Sequence, residues 1–248
     1  MINFVANANL PTGRVVSIVC GELCDEVNAY LDSIGIERLV IKANSNIDPA
    51  VKYHADMAAI YLGTGKILLD KRQYPLGKKL LEKGLDVQYT EAKIIGEYPN
   101  DVALNFTIIS NKILGRFDCA DNRLVELASA FDKINVKQGY CKCSCIVVSD
   151  NAMITDDKSI YDKAIANSID CLLISKGDIL LEGHNYGFIG GASGKISEKE
   201  ILFFGDITKH RDYKKIADFI KRHGCEIISL DFPLTDFGGI IPITEKAP

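Results

Sequence analysis

The chain has 248 residues, room for one large domain or two small ones, with 47% apolar and 25% charged residues, the balance of a globular protein with a sizeable core. A formal charge of −4 and a pI near 5.6 argue against nucleic acid as a partner, because phosphate contacts need a basic surface. No apolar run approaches the ~18 residues of a membrane helix, so a membrane partner is not expected either.

In chain order, Met1-Ile2-Asn3-Phe4 lacks the basic segment and long hydrophobic stretch of a secretion signal. Eight cysteines without such a signal read as reduced thiols, and the expected location is the cytoplasm. A first module follows: strand Val15–Val19, a helix carrying Leu23, Val27, Tyr30, Leu31 and Ile34 with Gly35 as its stop, and strand Leu39–Lys42. It has no leading strand of its own, and Gly238–Ile243 at the far end could supply one, joining the two chain ends.

Four fuller copies come next. Met57–Leu62 turns at Gly63-Thr64-Gly65 into Ile67–Leu69, then a helix around Leu76, Leu80 and Leu81 stops at Gly84 before strand Val87–Thr90. Val102–Ile109 turns at Ser110-Asn111 into Ile113–Phe117, then a helix with Leu124, Leu127, Ala128 and Phe131 leads to Ile134–Val136. Ser144–Ser149 turns at Asp150-Asn151 into Ala152–Thr155; Asp156 or Asp157 caps a helix with Ile160, Ala164, Ile165 and Ile169, and Cys171–Ser175 closes the copy. The last copy reads Gly187–Ile196, Ile201–Phe204, helix Arg211–His223 and strand Ile227–Leu230.

Two strands before each helix distinguish this order from a doubly wound sheet, which alternates single strands with helices. The expected fold is α/β: one domain, residues 1–248, built as a five-module ββαβ propeller with pseudo-fivefold symmetry.

Two local motifs fail as cofactor sites. In Gly187-Phe188-Ile189-Gly190-Gly191-Ala192-Ser193-Gly194-Lys195, an isoleucine stands where a phosphate loop needs its first glycine, and a strand follows where a helix should open. These glycines read instead as a bulged strand with close backbone approach. Cys141, Cys143 and Cys145, if on a strand, share one face about 7 Å apart, which is poor geometry for tetrahedral zinc. No metal and no cofactor is expected.

Polar residues cluster at each module start: Tyr53-His54-Ala55-Asp56, Pro99-Asn100-Asp101, Tyr140-Cys141-Lys142-Cys143-Ser144, His184-Asn185-Tyr186-Gly187 and Thr235-Asp236-Phe237-Gly238. If a pseudo-fivefold axis relates the modules, these clusters converge on one central cavity.

With this layout, His54-x-Asp56 and the terminal Asp236-Phe237-Gly238-Gly239, the chain resembles the pentein superfamily of guanidine-modifying enzymes, and within it a bacterial family. Catalytic members include arginine and agmatine deiminases, dimethylarginine hydrolases and amidinotransferases. The resemblance implies a His-x-acid pair, further acidic residues and a cysteine near the C-terminus around a guanidinium carbon. Here Gly238-Gly239-Ile240-Ile241-Pro242 stands where that cysteine belongs, and no cysteine follows Cys225. Cys143 is the substitute nucleophile, with Lys142 beside it to lower the thiol pKa. His54, oriented by Asp56, serves as acid and base, with His184 as its rival. Asp101 and Asp236 hold a cationic small molecule; Asn100, Lys142, Ser144, Asn185 and Tyr186 line its site.

Two other readings use the same residues. The fold also occurs in a ribosome-associated anti-association factor, so the chain could bind a small cation or a macromolecule without catalysis. Alternatively, the central polar groups only staple the modules together. A closed and fully hydrogen-bonded core would mark that case.

Overall fold

The computed structural model describes residues 1–247, and its strands form five separate small sheets. Four follow one plan: a leading strand pairs antiparallel with a second, a helix crosses over, and a third strand returns parallel to the second. They are β4 (Ala59–Gly63), β5 (Lys66–Leu69) and β6 (Asp86–Tyr89); β7 (Thr107–Ile109), β8 (Lys112–Gly115) and β9 (Asp132–Asn135); β10 (Cys145–Ser149), β11 (Ala152–Thr155) and β12 (Asp170–Leu173); and β13 (Ser193–Lys195), β14 (Glu200–Phe203) and β15 (Glu226–Ser229). The crossover helices are α3 (Tyr74–Glu82), α4 (Asn122–Leu127), α5 (Lys158–Ala166) and α6 (Tyr213–Arg222).

The fifth sheet joins the chain ends, as the first module's missing strand led us to expect. Strand β16 (Ile240–Lys246) lies antiparallel to β2 (Arg14–Cys20), and β3 (Glu37–Val40) returns parallel to β2 after α1 (Asp25–Ser33). A strand the sequence did not announce, β1 (Ile2–Phe4), covers the other edge of β16. Its three residues are too few to display alternation.

Local chemistry sets the helix ends. The Asp157 carboxylate accepts from the backbone N–H groups of Ser159 (2.8 Å) and Ile160 (3.1 Å), two donors that the first turn of α5 leaves without helical partners. At the other end, Gly84 and Gly224 take positive φ (87° and 74°) just past α3 and α6, ending each helix in the left-handed conformation glycine adopts without penalty.

Apolar clusters fill the spaces between consecutive sheets. One joins Val19 and Ile241 to Ile60 and Ile67, and these to Leu104 and Ile108. Others join Ile109 and Leu114 to Val147 and Met153, then Ile146 and Ile154 to Ile201 and Phe203, and finally Leu202 and Phe204 to Ile18 and Cys20. Each sheet is therefore packed against the next, and the last against the first. Among the described residues no helix is long and apolar enough to cross a membrane.

Three leading strands are shorter than their apolar runs suggest. Residues 55–58 form a one-turn helix, α2, before β4; the chain reaches strand geometry only at Thr107 in the third module and at Ser193 in the last. In each case the missing strand residues fold as a helical turn or loop that brings polar groups together.

Candidate active site

Those three segments, ahead of β4, β7 and β13, meet the residues that lead into β10 and β16. The Asn105 amide donates to the Cys143 sulfur (3.1 Å) and to the main-chain carbonyl of Asp56 (3.3 Å). The Cys143 carbonyl accepts from Gly191 N–H at 3.0 Å. Asp236 accepts from the N–H groups of Phe188 and Gly238, both at 2.9 Å. Gly238 lies against His54, and Gly191 against Asp236; a Cβ on Gly191 would fall 1.9 Å from the Asp236 carboxylate. Gly190 and Gly191 do permit close approach, Gly190 to the Lys142 and Cys143 carbonyls, but on a turn ahead of β13 and not on the bulged strand expected.

Cys143 sits on a turn, not on a strand: Ser144 N–H donates to the Tyr140 carbonyl (3.0 Å) and Cys145 N–H to that of Lys142 (3.2 Å). The three cysteines therefore do not share a face, contrary to the strand expectation. Cys141 and Cys145 pack with Ile109, Met153 and Cys171, whereas Cys143 turns toward Asp56 and Asn105. The Asn105 side chain sets this turn from both ends, its oxygen accepting from Lys142 N–H (2.7 Å) and Cys143 N–H (3.3 Å).

The Cys143 sulfur lies 3.0 Å from Asp56 Oδ2, with the thiol as donor. Burial pushes this thiol well above its ordinary pKa, and the charges of Asp56 and Asp236 push it further. The expected activation by Lys142 is not what the geometry gives. The Cys143 thiol is raised rather than lowered, and the Lys142 ammonium acts on Asp56 instead. Burial raises the Asp56 carboxyl to about 6, against the lowering influence of His54 and Lys142. Asp101 is also raised by burial, opposed by the Tyr140 hydroxyl that donates to its Oδ2 at 2.8 Å.

His54, Asp56, Asp101, Cys143 and Asp236 are all at most 3% exposed, so the cluster is closed. It is not saturated. His54 Nδ1, Asp56 Oδ1, Asp101 Oδ1 and Ser144 Oγ are buried without hydrogen-bond partners, and His54 Nδ1 stands 3.7 Å from Asp236 Oδ1. Unpaired buried polar atoms are rare and costly, and those of His54 and Asp56 stand in one cluster with Cys143, which fits a ligand site better than a staple. One donor atom each of His54, Asp56 and Cys143 lies within 4.8 Å of the others; these are the residues that could hold a zinc-class ion.

Other candidates lie elsewhere. His184 is exposed and pairs with Asp48 at 3.0 Å, linking the loop ahead of His54 to the loop ahead of Phe188, so it leaves the place of rival to His54. Asn100 and Asn185 are exposed as well. Tyr186 is half-buried with its ring nearly perpendicular to that of Phe188, at 6.4 Å between centroids. Polar turn-formers flanking a module start need not face inward. Asn105 is absent from the sequence candidates; its one signal is its place as the single polar residue in Val102-Ala103-Leu104-Asn105-Phe106. Tyr140 likewise has a role that its sequence cluster does not reveal: its ring packs between Tyr98 (5.4 Å) and Phe188 (5.8 Å) while its hydroxyl holds Asp101.

The same fold occurs in solved guanidine-modifying enzymes. The inosamine-phosphate amidinotransferase of Streptomyces griseus superposes with a TM-score of 0.63 at 10% identity, covering 99% of this chain and 98% of that one. An amidinotransferase of saxitoxin biosynthesis from Microseira wollei gives 0.60 at 11% identity, covering 96% of each. The agmatine deiminase of C. jejuni gives 0.52 at 13% identity, covering 93% and 91%. The chain thus has the pentein fold. Among curated proteins, a biotin synthase of Pelodictyon phaeoclathratiforme (strain DSM 5477 / BU-1) aligns at 25% identity over 144 residues, 58% of this chain. The chain spans only 36% of that relative's length. A family model described as "Family of unknown function (DUF6873)" matches residues 18–241, most of the chain, and it is to this family that the chain belongs.

Proposed function

We propose that the five modules form a propeller of pseudo-fivefold symmetry, with a guanidine-modifying site on its axis. There Cys143 attacks the carbon of a small guanidino-, amidino- or amide-containing compound. The observation that carries this reading is the Cys143 sulfur at 3.0 Å from Asp56, with His54 in the same cluster and Asp236 beside it. The fold shared with amidinotransferases and a deiminase supports it.

Electrostatics gives the order of events. Without substrate, the carboxylates keep the proton on Cys143. A cationic guanidinium held by Asp56, Asp101 and Asp236 offsets that negative charge, lowers the thiol pKa and places its carbon near the sulfur. The thiol proton passes to Asp56, whose carboxyl already favours the protonated form more than an exposed aspartate does. The thiolate adds to the carbon, and the carbon–nitrogen bond breaks as His54 relays the proton from Asp56 to the departing amine. His54 then takes a proton from the water or amine that displaces the sulfur, and that proton returns to the freed thiolate. Entry requires movement of the covering loops, and the exposed His184–Asp48 pair is a weak link between two of them.

The second reading is a binding protein that holds the same cation without turnover; the raised thiol pKa and complete burial of Cys143 favour it. A panel of guanidino and amidino compounds, read by ammonia release and by product mass, separates the two. Turnover lost in Cys143→Ser supports catalysis. Saturable binding without turnover supports the binder. Undiminished turnover in Cys143→Ser would remove Cys143 from the chemistry.

A further inference from the structure

A second cysteine site lies away from the axis, where a buried lysine meets a buried thiol. Lys195 on β13 is 6% exposed and Cys225, just past α6, is 5% exposed. The Lys195 amine stands 3.3 Å from the Cys225 sulfur. Both groups point at the same main-chain oxygen, the carbonyl of Val148, the amine at 2.8 Å and the sulfur at 3.4 Å. That carbonyl is free for a structural reason. The β10–β11 ladder skips a residue between Val147 and Ser149, and the bulged residue is left out of the pairing.

Among the described residues the Lys195 amine bonds to the Val148 carbonyl and the Cys225 sulfur and to no carboxylate, although Asp150 and Glu198 line the same recess. Its neighbours are a carbonyl and a sulfur. The recess, about 450 Å³ and also bordered by Lys199 and His223, opens to solvent and admits a small molecule to the pair. The juxtaposition sought at Lys142 and Cys143 thus occurs at Lys195 and Cys225. The bridged segments are 30 residues apart, and the pair also spans from the last module to β10 of the one before it.

We propose that this pair is an oxidative cross-linking site. Hydrogen peroxide converts Cys225 to a sulfenic acid, and the Lys195 amine captures it as a sulfur–nitrogen bond. In the first step the sulfur attacks peroxide: an S–O bond forms, the O–O bond breaks, and the thiol proton leaves with the displaced hydroxide as water. In the second the amine nitrogen attacks the same sulfur: an S–N bond forms, the S–O bond breaks, and the hydroxyl leaves with one amine proton as a second water. The sum is thiol plus amine plus peroxide giving a sulfenamide and two waters, the sulfur losing two electrons and the peroxide gaining them. The Val148 carbonyl holds both groups in place, so capture is faster than escape of the sulfenic acid. The link ties β13 to the start of β15 and restricts the unfolded chain as a disulfide would. Any thiol reductant reverses it.

The test treats the intact protein with hydrogen peroxide in the presence of dimedone, which traps free sulfenic acids, and maps the products by mass spectrometry. Wild type is expected to lose two hydrogens and yield a Lys195–Cys225 linked peptide, cleaved by dithiothreitol, with a Tm several degrees higher. The half-buried Cys24 and Cys119, with no amine in bonding contact, are expected to give dimedone adducts instead. Lys195→Arg keeps a donor for the Val148 carbonyl but cannot form the bond; it is expected to carry the dimedone adduct on Cys225, with no rise in Tm. The proposal is overturned if wild-type Cys225 carries dimedone while Lys195 is intact, or if Cys225 stays reduced after Cys24 and Cys119 have reacted. Because Cys143 takes no part, neither result bears on the axial site.

Discussion

Cys143 and Cys225 are both buried thiols, yet their surroundings are opposites. Cys143 faces carboxylates, which hold its proton on and prepare the place for a cation. Cys225 faces an amine and a carbonyl, which leave its sulfur open to an oxidant and give the product a partner. Burial alone therefore says little about a cysteine. The charges beside it decide whether it waits for a cationic substrate or meets an electrophile directly.

Removing the carboxylate that organises the first environment should have the largest effect. Asp236→Ala leaves the Phe188 and Gly238 N–H groups without their acceptor, and should cost about 3–5 kcal/mol of unfolding free energy measured by urea titration. A loss below 1 kcal/mol would mean that the centre is wetter than its burial indicates.

Next comes Asp156, a carboxyl at 4% exposure that burial raises to about 7, with Asp236 adding to the rise. A folded pKa above the unfolded value of 3.8 means that its contribution to stability is complete below that value and is lost as pH rises through about 7. Asp156→Asn should therefore stabilise the fold by on the order of 2–4 kcal/mol at pH 9 and change little at pH 4. Equal effects at both pH values would break the comparison.

Asp56→Asn removes a charge and an acceptor from Cys143, and should speed its alkylation by iodoacetamide at pH 8 about tenfold, roughly one pKa unit, while leaving Cys225 unchanged. Smallest in energy is Asp48→Asn. Loss of an exposed ion pair should change stability by less than about 1 kcal/mol, yet loosen the loops over the centre and raise Cys143 labelling a few-fold.

The repeating order of strands and helices was readable because it is local. Turn residues, caps and apolar periods mark each module, and Asp157 and Gly84 act where their types suggest. The grouping of His54, Asp56, Cys143 and Asp236 was also readable, because repeat phase stands in for distance. What sequence could not supply was direction. Whether a polar residue at a module start turns inward depends on backbone a few residues away, so His184 and Asn185 were grouped with residues they do not join. The turn that separates Cys143 from Cys141 and Cys145 is set by Asn105, a contact between modules that leaves no periodic trace. For the same reason the Lys195–Cys225 pair was invisible: it depends on a bulge that frees one carbonyl.

The central claim is that the carboxylates around Cys143 select a cation and present it to the sulfur. Two reagents of nearly the same shape test this directly, 2-chloroacetamidine, which is cationic, and 2-chloroacetamide, which is neutral. The measurement is the rate at which each alkylates Cys143, followed by peptide mapping at neutral pH. The amidine should react at least tenfold faster, a difference of about 1.4 kcal/mol or more, and lose that advantage in Asp56→Asn. Equal rates, or faster reaction of the neutral amide, would contradict the account.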